Sequence, residues 1–90
     1  MHERSLMRRL IAQIEHVAAT HGARRVTGVA VRVGALAHMS EAHFREHFEE
    51  AARGTIAEGA TLRVEVDTDP AAPGADGILL RAVEVQGADG

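Results

Sequence analysis

The sequence predicts an α/β chain of the α+β type. Two helices pack on one face of a small three-stranded mixed sheet, in the order α-β-α-β-β. Three observations lead there. Apolar residues recur at helical spacing over residues 4–21 and at strand spacing over 25–33. A second helical stripe lies between Ser40 and Gly54. Two further alternating runs follow at 60–67 and 78–86. Ninety residues hold one hydrophobic core and not two, so 1–90 is taken as a single domain.

In the first helix Leu6, Leu10, Ile14 and Val17 share one face, and Met7, Ile11 and Ala18 widen it. Gly22 is suited to end that helix in the left-handed conformation. In the first strand Thr27, Val29, Val31 and Val33 fall on one face, with Gly28 marking a bulge or a close backbone approach. Ser40 is the expected N-cap of the second helix and Glu41 favours its positive end. Phe44, Phe48 and Ala51 or Ala52 form that helix's buried stripe, and Ile56 is expected under the core after it. Leu62, Val64 and Val66 alternate in the second strand, which should lie parallel to the first. The third strand is expected to pair with the second as a hairpin. Residues 67–77, with two prolines, two glycines and three acids, read as a mobile surface loop without core contacts.

Composition narrows the function. There is no Cys, hence no disulfide and no thiol nucleophile. Residues 1–25 hold five Arg against Glu3 and Glu15, while residues 26–90 hold five Arg against eleven acids. This uneven charge gives no concentrated basic face, so a nucleic-acid partner is not expected. No run is long and apolar enough for a membrane span and no signal-peptide pattern is present, so a cytoplasmic location is expected.

The stretch with the most distinctive chemistry is Met1-His2-Glu3. Taken alone, Met1-His2 is a translation start. It also places the Met1 α-amine, the His2 backbone amide and the His2 imidazole within reach of one ion. Their small chelate rings hold nitrogen donors nearly coplanar, which suits Ni(II) or Cu(II) better than tetrahedral Zn(II). The amide must lose its proton to bind, so ligation should strengthen with pH.

Four stretches together carry a resemblance to a known family. They are Met1-His2-Glu3 with Ser5-Leu6; Arg25-Val26-Thr27 leading to Val33-Gly34-Ala35-Leu36; Phe48-Glu49 leading to Gly54-Thr55 and Glu58-Gly59-Ala60; and Arg81-Ala82-Val83-Glu84-Val85. The chain resembles the HypA/HybF family of nickel-incorporation proteins of hydrogenase maturation. The resemblance implies a nickel metallochaperone that holds Ni(II) through the N-terminal amine, His2 and the Glu3 backbone. It also implies docking to a HypB-like GTPase and delivery to a hydrogenase large subunit, or toward urease in some organisms. Family members carry a zinc module with two Cys pairs between the second and third strands. Here residues 67–77 stand in its place without Cys, so no zinc is expected. Some members place a carboxylate near the start of the second helix to complete the nickel site. Ser40 stands about there, with Glu41 adjacent.

Glu41 is therefore one additional candidate ligand; His38, in the loop before Ser40, is another, set against the plainer reading of a loop histidine facing water. His43 and His47, four apart with Glu46 and Glu50 on the next face, have a spacing that can bind metal but read as a solvated helix edge. His16 and His21 read as surface residues. No nucleophile–base arrangement, phosphate-cradling loop or paired acid–base site is visible, so an enzyme is the least favoured class. The alternative to a metallochaperone is an interaction module that binds a maturation GTPase or hydrogenase subunit without delivering metal. A monomer or weak homodimer is expected.

Overall fold

The computed structural model describes residues 3–87, with Glu3 described by its backbone alone. The elements are α1 (Glu3–Thr20), β1 (Ala23–Val33), α2 (Glu41–Ala52), β2 (Thr61–Val66) and β3 (Ile78–Gly87). Their order and the mixed three-stranded sheet match the sequence expectation. No helix among the described residues is long and apolar enough to cross a membrane.

The strand order corrects one expectation. It is β2-β1-β3, so the third strand pairs with β1 and not with β2. β1 runs parallel to β2 and antiparallel to β3. The reason lies in β1 itself. It is long and buries Val26, Val29, Val31 and Val33, whereas Val66 of β2 and Leu79 and Val85 of β3 remain exposed. The most apolar strand takes the centre, where both of its edges are paired.

A register shift between Val26 and Gly28 on the β3 side makes Thr27 the extra residue of a bulge. The bulge changes the strand's phase. Val26 enters the core and Thr27, expected there, is exposed, its hydroxyl donating to the Glu84 carbonyl at 3.2 Å. Gly28 lies against the Glu84 side chain, where a Cβ would collide with the carboxylate.

Both helices cover one face of the sheet. α1 lies over β1 and β3, and α2 over β2. The buried stripe of α1 is Met7, Leu10, Ile11, Ile14 and Ala18, while Leu6 and Val17 are only partly buried. The centre of the stripe is thus rotated toward Met7 and Ile11, because α1 must face α2 as well as the sheet. Ser40 caps α2 as expected, its hydroxyl accepting the His43 amide at 3.1 Å. Phe44 and Phe48 are fully buried with ring centres 6.1 Å apart. After α2, Ile56 packs partly buried against the core as expected and Ala57 is fully buried, and the Ile56 carbonyl accepts the Val26 amide at 3.2 Å. Leu62 and Val64 are partly buried, since β2 is an edge strand.

The segment 67–77 is also corrected. It is fastened to the end of β1 at three points. The Asp67 amide donates to Val33 O at 2.8 Å, the Gly34 amide to Gly77 O at 2.9 Å and the Leu36 amide to Ala75 O at 2.7 Å. Ala75 is buried. Composition alone concealed this, because the contacts are made by backbone and by one methyl group. At Gly34 a Cβ would overlap the Ala75 carbonyl, so only glycine permits the approach.

Asp67 adds an electrostatic clasp. Its carboxylate accepts the Asp69 amide at 3.2 Å and pairs with the Arg32 guanidinium at 3.0 Å. The Asp69 backbone N–H, and then the Arg32 charge, hold the Asp67 carboxyl below its ordinary value of 3.8. A carboxyl lowered in the folded state stabilises the fold above its unfolded pKa, and the contribution is lost as pH falls through the lowered value.

Three outcomes follow for stability. Phe48→Ala should cost about 3–5 kcal/mol by emptying an aromatic core site, and a thermal melt shifted by a degree or two would contradict it. Gly34→Ala should destabilise by about 1–3 kcal/mol through forced backbone movement, visible in the same melt. Asp67→Asn should lower the melting temperature at pH 7, with the difference from the parent closing as pH falls below the ordinary carboxyl value of 3.8. A difference independent of pH would contradict the clasp.

Candidate metal centre

Both helices run opposite to β1. α1 reverses into β1 through the turn at His21-Gly22, where Gly22 takes φ 62°. α2 leaves the end of β1 and returns the chain to β2, which is parallel to β1. The helices are therefore parallel to each other, and their N-termini lie at one pole, beside the C-terminal end of β1. The start of β3 and segment 67–77 reach the same pole.

Met1 and His2, the centre of the expected chelate, lie outside the described residues. Glu3 opens α1, whose first turn lies at this pole. His38 stands beside it. It is exposed and takes φ 56°, an uncommon conformation for a residue other than glycine, though less so for His. The conformation is fixed from both sides. The Ala37 amide donates to Gly34 O at 3.0 Å, and Met39 is buried in the core. His38 lines a groove along one flank of α1 with Leu6, Arg9 and Asp76.

Glu41, the other additional candidate, opens α2 at the same pole. Its carboxylate is engaged by Arg45 at 2.9 Å, and Arg45 also donates to Leu62 O at 2.8 Å. Glu41 is thus tied to the edge of the sheet. Among the described residues no three His, Cys, Asp or Glu side chains converge as a metal site. His38 and Glu41 share the pole but do not form a preassembled cage.

The other flank of α1 faces α2. A groove there is lined by Arg4, Ser5 and Arg8 of α1 and by His47 and Glu50 of α2. His43 and His47 stand with ring centres 4.5 Å apart, and His47 is partly buried. The sequence reading set this pair aside as a solvated edge. The missing signal was topological: parallel helices bring the first turns of α1 alongside His47.

Comparison with known proteins adds the decisive observation. Residues 1–71 match the family model described as "HypA: Hydrogenase/urease nickel incorporation, metallochaperone, hypA". The chain belongs to the HypA family. It is 42% identical over 65 residues to hydrogenase maturation factor HypA of Escherichia coli (strain K12), covering 72% of this chain and 56% of that protein. It is 40% identical over 65 residues to hydrogenase maturation factor HybF of Salmonella typhimurium, covering 72% and 58%. The chain thus spans a little over half the length of these curated relatives. The solution structure of the Ni metallochaperone HypA from Helicobacter pylori superposes with a TM-score of 0.80, covering 97% of this chain and 99% of that one. At 20% identity that likeness shows the fold. The HypA family match ends inside segment 67–77, the stretch fastened to the end of β1.

Proposed function

We propose that this HypA-family chain carries Ni(II) as cargo for the maturation of a nickel enzyme, a [NiFe] hydrogenase in the first instance. The observation that supports the reading most directly is the family match over residues 1–71, which includes Met1-His2-Glu3 and both helices at the shared pole. The Met1 α-amine, the His2 amide and imidazole, and the Glu3 backbone are the proposed donors. His38 and Glu41 are additional candidates, with Glu41 reaching the ion only by leaving Arg45.

The chemistry follows from these donors. The amine and an amide must shed protons before they bind, so loading releases protons and weakens as pH falls. An ordinary α-amine titrates near pH 8, so loading should weaken toward pH 6. Planar nitrogen ligation favours Cu(II) over Ni(II) in raw affinity, so delivery of nickel would rest on supply and on partners. The proposed partners are a HypB-like GTPase and the hydrogenase large subunit. Nickel is proposed to be carried without a thiolate zinc site, since these 90 residues contain no Cys. The proposed setting is the cytoplasm.

Nickel titration of untagged, N-terminally extended and His2→Ala proteins near pH 7.5 tests the reading. The untagged protein should take up one tightly bound Ni(II) with release of protons. The extension and His2→Ala should each abolish that tight uptake, although the extension leaves the imidazole intact. Equal tight binding by all three would overturn the terminal chelate.

A further inference from the structure

We propose that His43 and His47 form a second transition-metal site, distinct from the terminal chelate, which takes Ni(II) and other late divalent ions through two imidazoles. They are four residues apart on α2, His43 exposed and His47 partly buried, so successive helical turns present them together. Their ring centres are 4.5 Å apart and the ring planes are tilted by 47°. That spacing is compatible with a shared ion. Imidazole nitrogen binds at about 2.0–2.1 Å, which puts each ring centre roughly 3 Å from the metal. Two such rings at about a right angle then sit on the order of 4.5 Å apart, as an estimate from the same bond length.

The local sequence has the same bias. His43-Phe44-Arg45-Glu46-His47 has the H-x-x-E-H order in which two histidines of one helix ligate zinc in a class of metalloproteases. The proposal concerns binding and not hydrolysis; among the described residues no group of three His, Cys, Asp or Glu side chains is placed to hold a metal. Water would complete the coordination, and two imidazoles suit Ni, Cu or Zn. The charge of α2 favours a cation, with Glu41, Glu46, Glu49 and Glu50 against Arg45. Arg4 and Arg8 line the same groove from α1 and oppose it, so the site should be weaker than a terminal chelate. Its position is useful. His47 shares a groove with Arg4, Ser5 and Arg8, so an ion on the pair sits beside the first turns of α1.

The inference rests on the geometry of α2 and stands apart from the terminal chelate. The test uses the 90-residue protein carrying His2→Ala, which lacks that chelate, titrated with Ni(II). One weaker equivalent should remain. His43→Ala or His47→Ala in that background should weaken it at least about tenfold, whereas His38→Ala should not. Histidine ring resonances should report the site directly, with His43 and His47 perturbed first. His43→Gln and His47→Gln replace the alanine variants if either melts early. Residual binding untouched by changes at His43 and His47, or no residual binding by folded His2→Ala protein, would overturn the site. In the untagged parent, retention of tight binding after both histidines are removed would leave the terminal chelate standing by itself.

Discussion

Everything in this fold depends on the pairing of β1 along both of its edges while one of its faces is buried by two helices. Val26, Val29, Val31 and Val33 supply that face, and Phe44, Phe48, Ile14 and Leu10 close over it. A central strand so covered leaves each flanking element little freedom. α1 must descend against it, α2 must return alongside it, and β3 must come back antiparallel on the free edge. In a small domain with two aromatic residues, the loss of one such contact removes a large share of the stability.

The same constraint makes a functional pole. Because both helices oppose β1, their N-termini, the His38 turn and segment 67–77 gather at one end. Gly34 and Ala75 hold this end together by backbone contact, and Arg32 with Asp67 adds charge. His38, Glu41 and Asp76 stand at this end, and among the described residues they form no rigid metal cage. An open arrangement of that kind suits the proposed role of a carrier, which must release its ion as well as hold it.

Much of this was legible in the sequence. Five elements could be placed from periodicity, and Ser40 and Gly22 were readable as cap and stop because their chemistry is local. Two kinds of feature were not. Gly28 marked the bulge, but the phase shift it causes, with Thr27 as the extra residue, is set by pairing with β3, which no period-two pattern reveals. The burial of Ala75 and Ala57 depends on where loops land, and small residues carry little hydrophobic signal. For the candidate centre, the residue types were visible and the neighbourhood was not. That His38 lies in the turn before α2 and Glu41 at its first residue was legible in the sequence. The proximity of His47 to the first turns of α1 needed the strand order.

The most direct measurement of the central claim, that nickel is held at the pole where both helices begin, is an amide-resolved NMR titration of untagged protein with substoichiometric Ni(II). The account predicts that perturbations concentrate in the first turn of α1, in the turn around His38 and at the start of α2. Signals from the opposite pole, around Gly22 and from Gly54 to Gly59, should stay in place. Perturbations centred on that opposite pole, or none on addition of a full equivalent, would contradict it.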